Sequence, residues 1–156
     1  MKRLEIVLIS LMFLSLGMKF MELPGSDFLL LMSATLLSLL YYLFGFALFN
    51  NIGGRQILQR SAYSKTNTKQ IVLAIGFGIA LSTLILGILF RFMMYPGGMI
   101  MLVVGLVATL LLALITLFFF QGNSNFRSTL IRALIFGTIG MVLFLLPGSV
   151  FVDLNY

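Results

Sequence analysis

Lys19-Phe20-Met21-Glu22-Leu23-Pro24-Gly25 and Arg91-Phe92-Met93-Met94-Tyr95-Pro96-Gly97 each end a long apolar run with a cation, a hydrophobic stretch and a Pro-Gly pair. The two heptads lie 72 residues apart, share four of seven residues and both start on a positive charge. Pro sets φ at the second position of a type II turn, and Gly accepts the positive φ that follows. Each heptad therefore predicts a tight reversal between two antiparallel helices. The same displacement carries Arg55 onto Arg127 and Arg60 onto Arg132, so the register runs on into the next loop. The chain reads as a helical hairpin used twice. A third, degenerate copy without the cation closes on Pro147-Gly148, where residues 140–149 parallel residues 17–26.

The runs that these turns interrupt are too apolar for water. Hydrophobic residues make up 61% of the chain and charged ones 9%, with a mean hydropathy of +1.16. Soluble domains carry about 25% charged residues to cover their exterior; this composition requires lipid as the solvent. A span needs about 20 apolar residues, and five segments fit: 4–21, 28–49, 71–94, 99–120 and 129–146. In lipid every backbone amide must be paired internally, which leaves helices or closed barrels, and these runs lack the alternation of a barrel strand. The expected fold is all-α: one integral membrane bundle over 1–156, with five transmembrane helices. It comprises a first hairpin (1–50), a basic loop (51–70), a second hairpin (71–121), a fifth span (128–147) and a short external tail (148–156). Ser26 and Asp27 suit the N-cap of the second span. A short interfacial helix is expected from Arg55 to Arg60 in the loop.

Charge sets the orientation. Lys2, Arg3, the loop cations Arg55, Arg60, Lys65 and Lys69, and then Arg127 and Arg132 all fall on one side of a five-span chain. Cytoplasmic loops are enriched in Lys and Arg, so the N-terminus is expected inside, the Pro-Gly turns and the C-terminus outside, in a bacterial inner membrane. The first segment has the basic start of a signal peptide but no small-residue cleavage site, and it is expected to stay as a span. Both hairpins start on the same side, unlike the inverted repeats of many transporters.

Ionisable side chains inside spans are the first candidates for function. Lys19 and Arg91 each sit just before a turn, where a cation can also snorkel to the headgroups and face the negative end of the helix dipole. Glu22 follows Lys19 by three residues and is positioned to pair with it; Arg91 has Met94 there, so its counter-charge is expected from another helix, a lipid phosphate or another protein. Glu5, beside Lys2 and Arg3, reads as an interfacial ion partner. The second and fourth spans carry no charge. With neither Cys nor His, and only Glu5, Glu22, Asp27 and Asp153 as carboxylates, no catalytic, metal or cofactor site is expected. Small residues at every fourth position, Ala74, Gly78 and Ser82, then Ala133 and Gly137, permit close helix approach. Tyr41, Tyr42 and Tyr95 are polar contacts or an interfacial belt. The net charge of +6 follows the span ends, which points to anionic lipid and not to nucleic acid.

The stretches Gly17-Met18-Lys19-Phe20-Met21-Glu22-Leu23-Pro24-Gly25 and Leu89-Phe90-Arg91-Phe92-Met93-Met94-Tyr95-Pro96-Gly97 resemble the N-terminal membrane hairpin of GldL-like proteins of the Bacteroidetes. The resemblance covers the two hairpins. It implies an inner-membrane protein that packs with other helices, in a family whose motor subunit serves gliding motility and type IX secretion, and it places Lys19 and Arg91 at the family's basic position. The second spans lack the buried carboxylate associated with proton-driven work, and the 156 residues hold no large cytoplasmic domain, so motor activity does not carry over.

The expected function is non-enzymatic: a scaffold or accessory subunit of a membrane assembly, with other membrane proteins or further copies of the chain as partners. The alternative is a small-solute or lipid transporter with a pathway lined by Lys19 and Arg91. A lipid-headgroup enzyme using Glu22, Asp27 and Lys19 ranks third.

Overall fold

The computed structural model describes residues 1–50, 52–53, 56–57, 59, 66–119 and 124–153, the last two positions and the first two of that final stretch by their backbone. Six helices follow in order: α1 (Lys2–Phe20), α2 (Ser26–Phe49), α3 (Thr68–Phe92), α4 (Gly98–Phe119), α5 (Ser124–Leu145) and the short α6 (Gly148–Asp153). Among the described residues there is no strand. Four helices are long and apolar enough to cross a membrane: α2, α3, α4 and residues Phe126–Leu145 of α5. α1 is long enough but carries Lys2, Arg3, Glu5 and Lys19, so by composition it is not among them.

The two turns have the same backbone. Glu22 and Met94 take left-handed φ values of 53° and 56°, and Gly25 and Gly97 take 85° and 81°. At the first turn Glu22 N–H donates to Lys19 O at 3.1 Å and Leu23 N–H to Met18 O at 3.0 Å; at the second, Met94 N–H donates to Arg91 O at 3.3 Å and Tyr95 N–H to Phe90 O at 2.9 Å. This is the Schellman pattern, which satisfies the last carbonyls of a helix. A type II turn follows, with Pro24 or Pro96 second, Gly25 or Gly97 third, and Ser26 N–H to Leu23 O or Gly98 N–H to Tyr95 O closing it. Left-handed backbone at a non-glycine residue costs about 1 kcal/mol. Both hairpins bear that cost at the same place. The third Pro-Gly pair differs: among the described residues no left-handed position accompanies Pro147-Gly148, and the chain re-enters a helix at once.

Helix starts depend on caps that hydropathy does not register. α3 begins before its apolar run because Asn67 and Gln70 form a reciprocal capping box. The N-cap of α2 is Gly25, with no side-chain cap; neither Ser26 nor Asp27 serves there as expected, because Ser26 is already helical and Asp27 turns its carboxylate to Lys19. The expected interfacial helix from Arg55 to Arg60 lies largely outside the described residues. The expected external tail is, as far as it is described, the helix α6, with Phe151 buried at 1% exposure.

α3 is the central helix, packed against α2, α4 and α5, while α1 rests on α2. Gly78 and Ser82 lie on the seam to α2, and Ala74, one turn earlier on α3, is fully buried. A Cβ on Gly78 would stand 2.6 Å from the Tyr41 carbonyl oxygen, and Ser82 shares a 2.7 Å hydroxyl bond with Ser38. The stripe therefore serves packing within the chain. α3 and α4 approach as closely: a Cβ on Gly87 would lie 2.6 Å from Leu102 Cα, and one on Gly105 2.5 Å from Leu84 Cα. At a displacement of 72 the first hairpin places the buried serines Ser15, Ser26 and Ser33 opposite Gly87, Gly98 and Gly105. Both hairpins thus keep small residues at matching levels. The outer face of α4 is the reverse of a soluble helix, with Ile100, Phe118 and Phe119 more than 70% exposed.

On α5, Ala133 is buried but a Cβ on Gly137 would meet nothing within 4 Å. Gly137 does not mark a close approach as its spacing predicts. Gly140 does, against Leu84 and Leu106. Gly105→Ala is expected to cost about 1–3 kcal/mol through overpacking, whereas Gly137→Ala is expected to be neutral or to stabilise by up to about 1 kcal/mol through helix propensity. Unfolding of the two variants in detergent, followed by circular dichroism, checks the contrast.

Candidate functional site: buried charges at the two ends of the bundle

At the turn end, Lys19 is 3% exposed and its Nζ donates to Asp27 Oδ1 at 2.5 Å. The expected partner, Glu22, is exposed. The Schellman bend carries Glu22 away from the helical face on which an i, i+3 pair would form, and brings the first turn of α2 back over Lys19. Its Nζ also lies 3.9 Å from Met93 Sδ, so the two turns sit side by side. Pro24, Gly25, Pro96 and Gly97 shape this end.

Arg91 finds its partner on another helix. Nη2 donates to the Leu146 carbonyl at 3.0 Å, one of the carbonyls that α5 leaves at its negative end. Its Cζ stands 4.7 Å from the centre of the Phe151 ring, within the range for a cation–π contact. The Nε is buried and without a hydrogen-bond partner. Among the described side chains no carboxylate pairs with Arg91.

At the opposite end the sequence reading missed the most enclosed cluster. Glu5 is 2% exposed. Its Oε1 accepts from Tyr41 Oη at 2.8 Å and from Arg132 Nε, and its Oε2 accepts from Arg132 Nη2 at 2.7 Å. Arg132 Nη1 also donates to Ser128 Oγ, one turn earlier on α5. Tyr41 is fully buried, edge-on to Phe136 and tilted against Phe49. Glu5 is therefore not the interfacial partner of Lys2 and Arg3 that its neighbours imply. Arg132, which counts in the sequence as one of the cytoplasmic-side cations, turns into the bundle. Tyr41 is a buried polar contact, while Tyr42 and Tyr95 are 60% and 42% exposed. The only sequence signal for this cluster is a carboxylate and an arginine on different apolar helices, each too costly to face lipid.

The cluster sits well inside the bundle. Tyr41 lies eight residues before the end of α2 and Arg132 eight after the start of α5, or about 12 Å along each helix. The carboxylate accepts a bidentate guanidinium and a phenol, and such charge-assisted bonds are the strong ones. Through these bonds Glu5 holds α1, α2 and α5 together. Among the described residues no group of three His, Cys, Asp or Glu side chains is placed to hold a metal ion. No protein-family model, curated protein or solved structure matches the chain.

Removing one partner of a buried ion pair typically costs about 3–5 kcal/mol, because the other charge is left uncompensated. Glu5→Leu and Arg132→Leu are each expected to destabilise the fold on that scale, with the double variant costing clearly less than the sum. Asp27→Asn is expected to cost about 1 kcal/mol, its carboxylate being half exposed, and Glu22→Gln to stay within about 0.5 kcal/mol. Unfolding in mixed micelles orders these variants.

Proposed function

We propose that the chain is a non-enzymatic, multi-span protein of the bacterial inner membrane that serves as a scaffold or accessory subunit of a membrane assembly. In this reading it is a diverged relative of the GldL-like proteins of gliding motility, built from two copies of one helical hairpin plus a fifth span, without their motor activity. The observation that carries it is the use made of the buried charges. Glu5 braces α1 to α2 and α5, and Lys19 braces α1 to the start of α2. A bundle whose interior charges hold helices together is built to keep its shape. Lys19, tied to Asp27 at 3% exposure, fits a brace better than the lining of a solute pathway.

The same observation supports α1 as a span. Its composition falls short because of its charges, yet Glu5 and Lys19 are buried against other helices, and residues 6–18 between them are uncharged. The matched turns and the matched small residues support the duplication. Basic residues at the end away from the turns support a cytoplasmic N-terminus.

The chain contains no Cys, so single-Cys variants report topology directly. Gln59→Cys is expected to react with an impermeant maleimide only after the membrane is opened, and Glu22→Cys in intact spheroplasts; the reverse pattern overturns the orientation. Photo-crosslinkers at Val107 and Leu111, exposed on α4, are expected to capture species larger than the monomer in native membranes. Monomer alone at every α4 position counts against an assembly role.

A further inference from the structure

α1 rests on α2 and α5 on α3 and α4, which leaves a cleft of about 320 Å³ between α1 and α5 at the turn end. Leu16 and Phe20 form one wall, Val142 and Leu146 the other, and Phe92 and Phe151 close its end. Among the described residues Thr138 is the one lining residue with a polar side chain, and its hydroxyl already donates to backbone carbonyls of its own helix. The wall from Thr138 to Leu146 runs about 12 Å along α5.

Arg91 stands at the rim of this cleft. Two of the residues it touches, Leu146 through its carbonyl and Phe151 through its ring, are cleft-lining residues. A guanidinium carries five donors. Here one makes an assigned hydrogen bond, Nε is buried without an acceptor, and no described carboxylate neutralises the charge. A cation with no described carboxylate against it, beside an apolar slot and at the end of a helix long enough to cross the membrane, matches a molecule with an anion at one end and hydrocarbon at the other. Arg is also the side chain best suited to grip a phosphate.

We propose that the cleft between α1 and α5 binds one anionic phospholipid of the bilayer, its phosphate on Arg91 and one acyl chain along Leu16, Val142 and Leu146. The site does not depend on an assembly role for the protein; it can hold or fail in the isolated chain. Phosphate alone lacks the chain that fills the slot, and a zwitterionic lipid lacks the net charge that Arg91 selects.

Native mass spectrometry of the full chain, released from micelles doped equally with phosphatidylglycerol and phosphatidylcholine of the same chains, tests this. One retained phosphatidylglycerol is expected, favoured about fivefold over phosphatidylcholine, the preference that one cation near the headgroups supplies. Arg91→Gln is expected to erase the preference and Arg91→Lys to restore part of it. Val142→Trp, at an exposed cleft position, is expected to reduce retention of both lipids. Lys2→Gln, at the other end of α1, is expected to leave retention unchanged, and soluble glycerophosphoglycerol at the same concentration is expected not to compete. Equal retention of the two lipids, an Arg91→Gln variant with helicity and preference both intact, or full competition by the soluble headgroup would each overturn the proposal. Should Arg91→Gln fail to fold, Val142→Trp decides: unchanged lipid retention in that variant rules the cleft out.

Discussion

The carboxylate of Glu5, gripped by Arg132 and Tyr41, fixes where α1 goes. A charge beside lipid is costly and a paired, fully hydrogen-bonded one is tolerable, so α1 can lie in the bundle only with Glu5 turned towards α5. That contact joins the first helix to the last long one, 127 residues away. It also orients Tyr41, whose backbone carbonyl is where the α2–α3 seam is tightest, against Gly78. The ion pair and the glycine seam are two sides of one turn of α2. A change to either is felt by the other.

The rest of the architecture follows from a turn used twice. Each hairpin ends its first helix in a Schellman bend through a left-handed non-glycine residue and passes Pro-Gly into the second helix, and α2 starts there without a side-chain cap. The bend directs the second helix back along the first, and small residues stand at matched levels, buried serines in one hairpin and, in the other, glycines at which the backbones close. The hairpins differ in how they treat the cation before the turn. Lys19 has Asp27 across its own turn, whereas Arg91, with Met99 in the equivalent place, reaches α5 instead.

Local chemistry was legible in the sequence. Pro24-Gly25 and Pro96-Gly97 announced type II turns because those two residues restrict φ in opposite senses, and the apolar runs announced helices because lipid permits little else. Ala74, Gly78 and Ser82 announced a packing face because their spacing matches the helix. Gly137 has the same spacing and packs against nothing, since periodicity identifies a face without saying whether a neighbour arrives there. Pairings between distant segments were not legible. Glu5 lies beside Lys2 and Arg3 in the chain, and only the three-dimensional arrangement of α1, α2 and α5 separates it from them and delivers Arg132. Lys19 pairs with Asp27 and not Glu22 for a related reason: the helix that would align Lys19 with Glu22 has already ended in a left-handed bend.

α1 has 19 residues and α4, whose outer face is exposed, has 22, about 28 Å against 33 Å of rise. Glu5, three residues into α1, is level with groups eight residues from the ends of α2 and α5, so the shortfall falls at the N-terminal end. If α1 crosses the bilayer, the molecule has a thin flank and a thick flank. Surrounding lipid must thin or tilt along the first and relax along the second, at a fraction of a kcal/mol per Å of mismatch. Such a wedge-shaped profile gives the protein a preferred heading relative to its neighbours, set by membrane elasticity.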